Sequence, residues 1–135
     1  MKRFIVLLST AVMLLMCCSC AQYKPLSVPG HGEFEGSLKS EYDYISSIKC
    51  VIDDPTTYSV RVKIKRNMEP EDMSGLIEVL MDYATTSALE AYKGIYEGNP
   101  DFISLEFYVN SDFTIHFSYG YSLTSRSPPE WKRER

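Results

Sequence analysis

The chain has 135 residues, with 14 Lys+Arg against 18 Asp+Glu and a formal net charge of −4 at pH 7. That length allows one domain and excludes a two-domain enzyme with a large interdomain cleft. The acidic balance argues against nucleic acid as a partner, which needs a net basic surface, while 44% apolar and 24% charged residues fit an ordinary globular domain.

The first element in chain order is an export signal. Lys2 and Arg3 form a positive n-region, and Phe4 to Cys18 form an apolar run of 15 residues. A permanent membrane span needs about 20 apolar residues, so the run reads as the h-region of a signal peptide. Cys17, Cys18, Ser19 and Cys20 follow, and then the polar Ala21-Gln22-Tyr23-Lys24-Pro25.

Cysteines placed directly behind an h-region resemble the lipobox of bacterial lipoproteins. That resemblance implies acylation of Cys20, which becomes the new N-terminus, and Ser19 supplies the small residue before it. Cys17 departs from the family pattern, which prefers Leu three positions before the acylated Cys. Cys17 and Cys18 are competing acylation registers, each with a poorer preceding residue. The alternative is plain cleavage after Ala21, which would release a secreted or periplasmic domain. The expected arrangement is a signal at 1–19 and a lipid-anchored protein on the extracytoplasmic side of the cell membrane, with the resemblance confined to this segment.

Residues 20–40 hold Pro25, Pro29, Gly30, Gly32 and Gly36 with no apolar period, and are expected to form a flexible stalk reaching about 25 Å. His31 lies there with Glu33 and Glu35 at alternate positions. Three ligand types on an extended chain suggest metal, but a stalk positions no ligands, so the reading is a hydrated linker.

A single α+β domain is expected over 41–123. Tyr42, Tyr44, Ile48, Cys50 and Ile52 share one parity, and Tyr58, Val60, Val62 and Ile64 share another strand's. Ile103, Leu105, Phe107 and Val109 alternate with polar residues, as do Phe113, Ile115, Phe117, Tyr119 and Tyr121. Period-two alternation predicts four strands buried on one face, and one wet face favours mainly antiparallel pairing. Asp53-Asp54-Pro55-Thr56 and Asn110-Ser111-Asp112 supply the hairpin turns. Equal parity in the second hairpin predicts pairs Phe107–Ile115 and Leu105–Phe117, with Glu106 opposite His116.

Between the hairpins, Pro70, Glu71 and Asp72 suit a helix first turn, and Met73, Leu76, Ile77, Leu80, Ala84, Ala88 and Tyr92 follow helical spacing. Thr85-Thr86-Ser87 is a point of kinking. The predicted fold is α+β with order β-β-α-β-β, a four-stranded mainly antiparallel sheet and one long helix on one face. The tail 124–135, ending Trp131-Lys132-Arg133-Glu134-Arg135, is expected to be irregular and basic.

The candidate chemistry is sparse. Cys50 has core parity, which makes its thiol inert. No G-x-S-x-G elbow accompanies His116, and no constellation calls for a cofactor, a metal or catalysis. The wet parity offers a candidate binding surface instead. Arg61, Lys63 and Lys65 form a basic stripe suited to an anionic polymer or an acidic envelope protein, and the strand face that they occupy would also discourage edge pairing. Phe102, Tyr108 and His116 add exposed rings. The sequence therefore points to a small lipid-anchored envelope protein acting as a non-enzymatic binding module. A small hydrolase with its site on the open sheet face is the alternative, and pairing of a sheet edge with another chain is a third.

Overall fold

The computed structural model describes residues 24–109 and 114–135; the signal segment, Cys20 and the Asn110–Asp112 turn lie outside them. The alternating segments form the strands that their pattern dictates. They are β2 (Ile45–Asp54), β3 (Thr57–Ile64), β4 (Phe102–Val109) and β5 (Ile115–Ser122). Two short strands extend the sheet, β1 (Lys24–Pro25) beside β2 and β6 (Trp131–Arg133) beside β5.

Strand order in the sheet is the order in the chain, β1 to β6. Every neighbouring pair is antiparallel except the central one, since β3 and β4 run parallel, with Val60 beside Leu105 and Val62 beside Phe107. The expectation of a four-stranded, mainly antiparallel sheet with one long helix is therefore corrected. The described residues form a six-stranded mixed sheet with two helical bodies on its core face. A parallel neighbour cannot be reached by a hairpin, so β3 and β4 are joined by a helical crossover.

That crossover starts as a 3-10 turn at Pro70–Met73, continues as α2 (Ser74–Thr85) and then as α3 (Ser87–Lys93). For numbering, α1 is the earlier helix His31–Glu41. The break falls in the Thr-Thr-Ser stretch. Thr86 leaves helical geometry at φ −119, ψ −86, and the Thr85 and Thr86 hydroxyls donate back to the Met81 and Asp82 carbonyls. Such back-bonding bends helices. The buried Tyr58 hydroxyl then donates to the Ala84 carbonyl at 2.6 Å, satisfying an acceptor in the last turn of α2. At the far end the Tyr92 hydroxyl reaches the Pro55 carbonyl at 2.6 Å, fixing α3 over the β2–β3 turn.

The core lies between sheet and helices. Tyr58, Val60, Val62 and Ile64 meet Leu76, Leu80, Ala84, Ala88 and Tyr92, all fully or almost fully buried, and Phe107 stacks on Phe117 at 4.5 Å. Each such aliphatic or aromatic side chain contributes about 2 kcal/mol of gross burial energy, which is opposed by chain entropy.

Residues 24–41 are not a free stalk. Leu26, Val28 and Leu38 are buried, Leu26 N–H donates to the Cys50 carbonyl, and Phe34 stacks on Tyr83 at 3.9 Å. Gly30 (φ +76) makes the left-handed turn into α1. The apolar residues here are too sparse to show a period, and α1 depends on tertiary contact for its stability. The tail is corrected likewise: Trp131 packs on Tyr121 at 5.2 Å, and Ser118 exchanges backbone bonds with Glu134 and Arg135.

From Phe102 to Phe107 the second hairpin keeps pairs of equal parity but shifts them by two residues from the expected register. Phe107 faces Phe117 and Leu105 faces Tyr119, with a register slip between Phe107 and Tyr108. Glu106 is therefore opposite Ser118 and not His116. Parity restricts the register of the regular stretch to steps of two, and the slip then breaks parity by one residue, setting Tyr108 opposite Ile115.

The outer edge of β2 is finished by side chains. β1 pairs only with Val51 and Ile52. Beyond it, Ile48 N–H donates to Glu35 Oε2 at 3.1 Å, and His31 Nε2 donates to the Ile48 carbonyl at 2.8 Å. A carbonyl only accepts, so Nε2 carries the proton and, in a neutral ring, Nδ1 accepts from the Tyr83 hydroxyl at 2.7 Å. Two helix side chains thus replace a neighbouring strand and block the edge to further pairing. His31 is thus a hydrogen-bonding residue of the fold and not the hydrated linker residue expected from the sequence.

Partial burial pushes the Glu35 carboxyl upward. The hydrogen bonds from Lys39 and Ile48 and the charge of Lys39 outweigh it, leaving the group below its ordinary range. A depressed folded value contributes stability above the ordinary carboxylate range that is lost as pH falls through the folded value. Glu35→Gln is expected to flatten the acid limb of the stability–pH curve and to speed exchange of the Ile48 amide. Urea titrations across pH and amide hydrogen exchange measure the two effects.

Candidate functional site

With the helices on one face, the other face of the sheet is open, and its even and odd positions bring together residues far apart in the chain. The parallel register sets Arg61 beside Glu106, and the antiparallel ones set Lys49 beside Arg61 and Glu106 beside Ser118. A polar row thus crosses four strands.

Its centre is Arg61. The guanidinium contacts Asp53 Oδ1 at 2.9 Å and Glu106 Oε2 at 3.5 Å. Ser59, fully buried, donates to Asp53 Oδ2 at 2.9 Å, and the Tyr108 hydroxyl points to Glu106 Oε2 at 3.4 Å. Burial raises the Glu106 carboxyl above its ordinary range; Arg61 pulls it back, Asp53 adds to the rise, and the net direction is upward. Burial and then the charge on Glu106 push the Tyr108 phenol up to about 12. Held together this way, the row is a preorganised set of donors and acceptors of both signs.

The candidate residues separate into groups. Arg61 and Tyr108 belong to this network. Lys63 lies next along β3, beside Tyr108 on β4 and half-buried. Lys65 is exposed just past the strand end, with its N–H bonded to the Tyr44 carbonyl. The basic stripe is thus partly neutralised: Asp53 and Glu106 take up Arg61, and Asp43 stands 3.6 Å from the neighbouring Arg66. His116 does not join the group; its Nε2 lies 3.2 Å from the Met68 carbonyl, on the connection from β3 into the helices. Cys20 is outside the described residues.

Phe102 occupies the other end of the face. Its ring covers Gly120 on β5, where a Cβ would collide with the ring and stand 2.8 Å from Glu134 Oε1. An aromatic laid over a strand glycine covers backbone that has no side chain of its own. Beside it, Ser122, Pro128, Lys132 and Glu134 help to line a depression of about 70 Å³. That is too small for a drug-sized ligand.

Cys50 is buried as its parity required. Desolvation pushes the thiol up to about 11, so the thiolate nucleophile is scarce at neutral pH. Asp53 and Ser59 were missed as site residues by sequence reasoning, although both have wet-face parity or adjoin the turn. The missing fact was adjacency: without the β3–β4 pairing nothing set Arg61 against Glu106. No group of three or more potential metal ligands occurs among the described residues. Comparison with known protein families, curated proteins and solved structures gives no match.

Three outcomes are expected on substitution. A raised folded value for Glu106 means stability that is present at low pH and lost as pH rises through that value. Glu106→Gln should therefore fold at neutral pH with stability equal to or above wild type. Arg61→Met, which strands the carboxylates, should lose about 2 kcal/mol and move Glu106 further upward. Urea denaturation at several pH values and carboxyl NMR titration test the asymmetry. Gly120→Ala should cost about 1–3 kcal/mol by overpacking, and Phe102→Ala in the same chain should return part of that loss in a double-mutant cycle.

Proposed function

We propose that this chain is a small exported cell-envelope protein, lipid-anchored through Cys20, which acts as a non-enzymatic binding module through the open face of its sheet. The observation that carries this reading is the one-sided architecture. Helices cover one face, while the other holds Arg61, Lys63, Glu106, Tyr108 and Phe102 in fixed positions. The signal and the lipobox-like Ser19-Cys20 support export and anchoring.

The charge pattern favours a protein partner in the envelope over an anionic polymer. A polymer of one sign is best met by an unbroken basic stripe, and here Asp53 and Glu106 interrupt it. Polar contacts of both signs flanked by two aromatic rings are the composition of a protein-recognition patch.

The test uses the full chain in intact cells. Photo-crosslinking residues at Lys63 and Phe102, on the open face, should each yield a discrete adduct, while one at the exposed helical residue Val79 should not. Mass spectrometry of the mature protein should find fatty acid on Cys20, and Cys20→Ala should release the domain or leave it unprocessed. Adducts from Val79 alone would contradict the open-face reading, and a free Gln22 N-terminus would contradict the anchor.

A further inference from the structure

Only three residues lie between Cys20 and Lys24, where β1 begins. Four chain steps span at most about 14 Å. Lys24 is fixed, since it pairs with Ile52 at the edge of the sheet. An acyl group on Cys20 therefore holds one corner of the folded domain close to the bilayer, where a 20-residue stalk would have let it tumble.

Two surfaces flank that corner. One is the β2–β3 turn, with Asp53, Asp54 and the exposed Pro55 and Thr56. The other is the end of α3, brought beside the same turn by the Tyr92–Pro55 hydrogen bond. There Ser27 and Pro29, which follow β1, face Ala91, Gly94 and Ile95 across an open groove of about 640 Å³. Ile95 is 46% exposed, more than any other large aliphatic or aromatic side chain among the described residues. Tyr96 packs half-buried on Tyr92, and Lys24 of β1 and Lys93 of α3 are exposed.

Of the two surfaces, the carboxylates of the turn favour water, whereas an exposed aliphatic with a tyrosine and lysines suits the headgroup layer. We propose that the α3 corner, centred on Ile95 and the adjoining groove, is the surface that lies in the membrane interface. The proposal rests on acylation of Cys20 and deepens that reading by setting the domain's orientation. The β1 edge and α3 turn toward the lipid, and the open sheet face and β6 turn away from it, accessible to a partner. Glu90 lines the groove and Glu97 is exposed nearby, so the contact gains little from anionic lipid.

The experiment uses the full, processed chain reconstituted in phosphatidylcholine vesicles, with and without phosphatidylglycerol. Ile95→Cys and Lys63→Cys are labelled separately with a polarity-sensitive fluorophore, Cys50 being buried. The expected result is a blue shift and quenching by nitroxide lipid at position 95 but not at 63, equal in both vesicle types. Flotation with a water-exposed label at 95, or quenching at 63, would overturn the orientation while leaving the anchor intact. A blue shift at 95 without lipid quenching would mean that a protein surface covers it, and would also overturn the proposal. A chain that fails to float and carries unmodified Cys20 would overturn the anchor and the orientation together.

Discussion

The parallel pairing of β3 with β4 is the constraint on which the other features depend. Two parallel neighbours need a crossover, and here it is the bent helical run from Pro70 to Lys93. The crossover covers one face of the central strands and buries Val60, Val62, Leu105 and Phe107 beneath it. The same pairing sets Arg61 beside Glu106 on the opposite face. Core and candidate site are therefore two sides of one register, and slipping it by one residue would exchange them.

A small mixed sheet has two edges to protect. At β6 three residues of strand are added to β5, and Lys132, Arg133 and Arg135 supply charges that discourage further pairing. At β2 the solution is different, since Glu35 and His31 of α1 take the backbone groups of Ile48 that a neighbouring strand would have used. Tyr83 and Phe34 then join α1 to α2, so the edge closure and the helical layer form one unit. A role based on pairing this edge with another chain is thereby disfavoured.

The polar groups of the open face are tied to one another. Its carboxylates are committed to Arg61 and Ser59, its tyrosine to Glu106, and the depression beside Phe102 measures only about 70 Å³. Groups tied to one another in this way present a fixed pattern of charge, which suits discrimination between partners. With the chain fixed four steps after Cys20, a lipid anchor would also give that pattern a direction.

The sequence by itself determined what is local. Alternation located β2 to β5 and their buried residues, helical spacing located the crossover, and the Thr85-Thr86-Ser87 stretch located its break, because pleat and helix periods are properties of the neighbouring chain. Parity alone put Cys50 in the core and Arg61, Glu106 and Tyr108 on the wet face. Only the tertiary structure decided which strands are neighbours, that Glu106 meets Arg61 and not His116, and that residues 24–41 fold. Those outcomes depend on contacts between distant segments: Arg61 and Glu106 are separated by the whole crossover, and α1 is held by Tyr83 and Ile48 against the low helix propensity of its glycines. Periodicity records which way a side chain points, but it holds no information about what stands opposite.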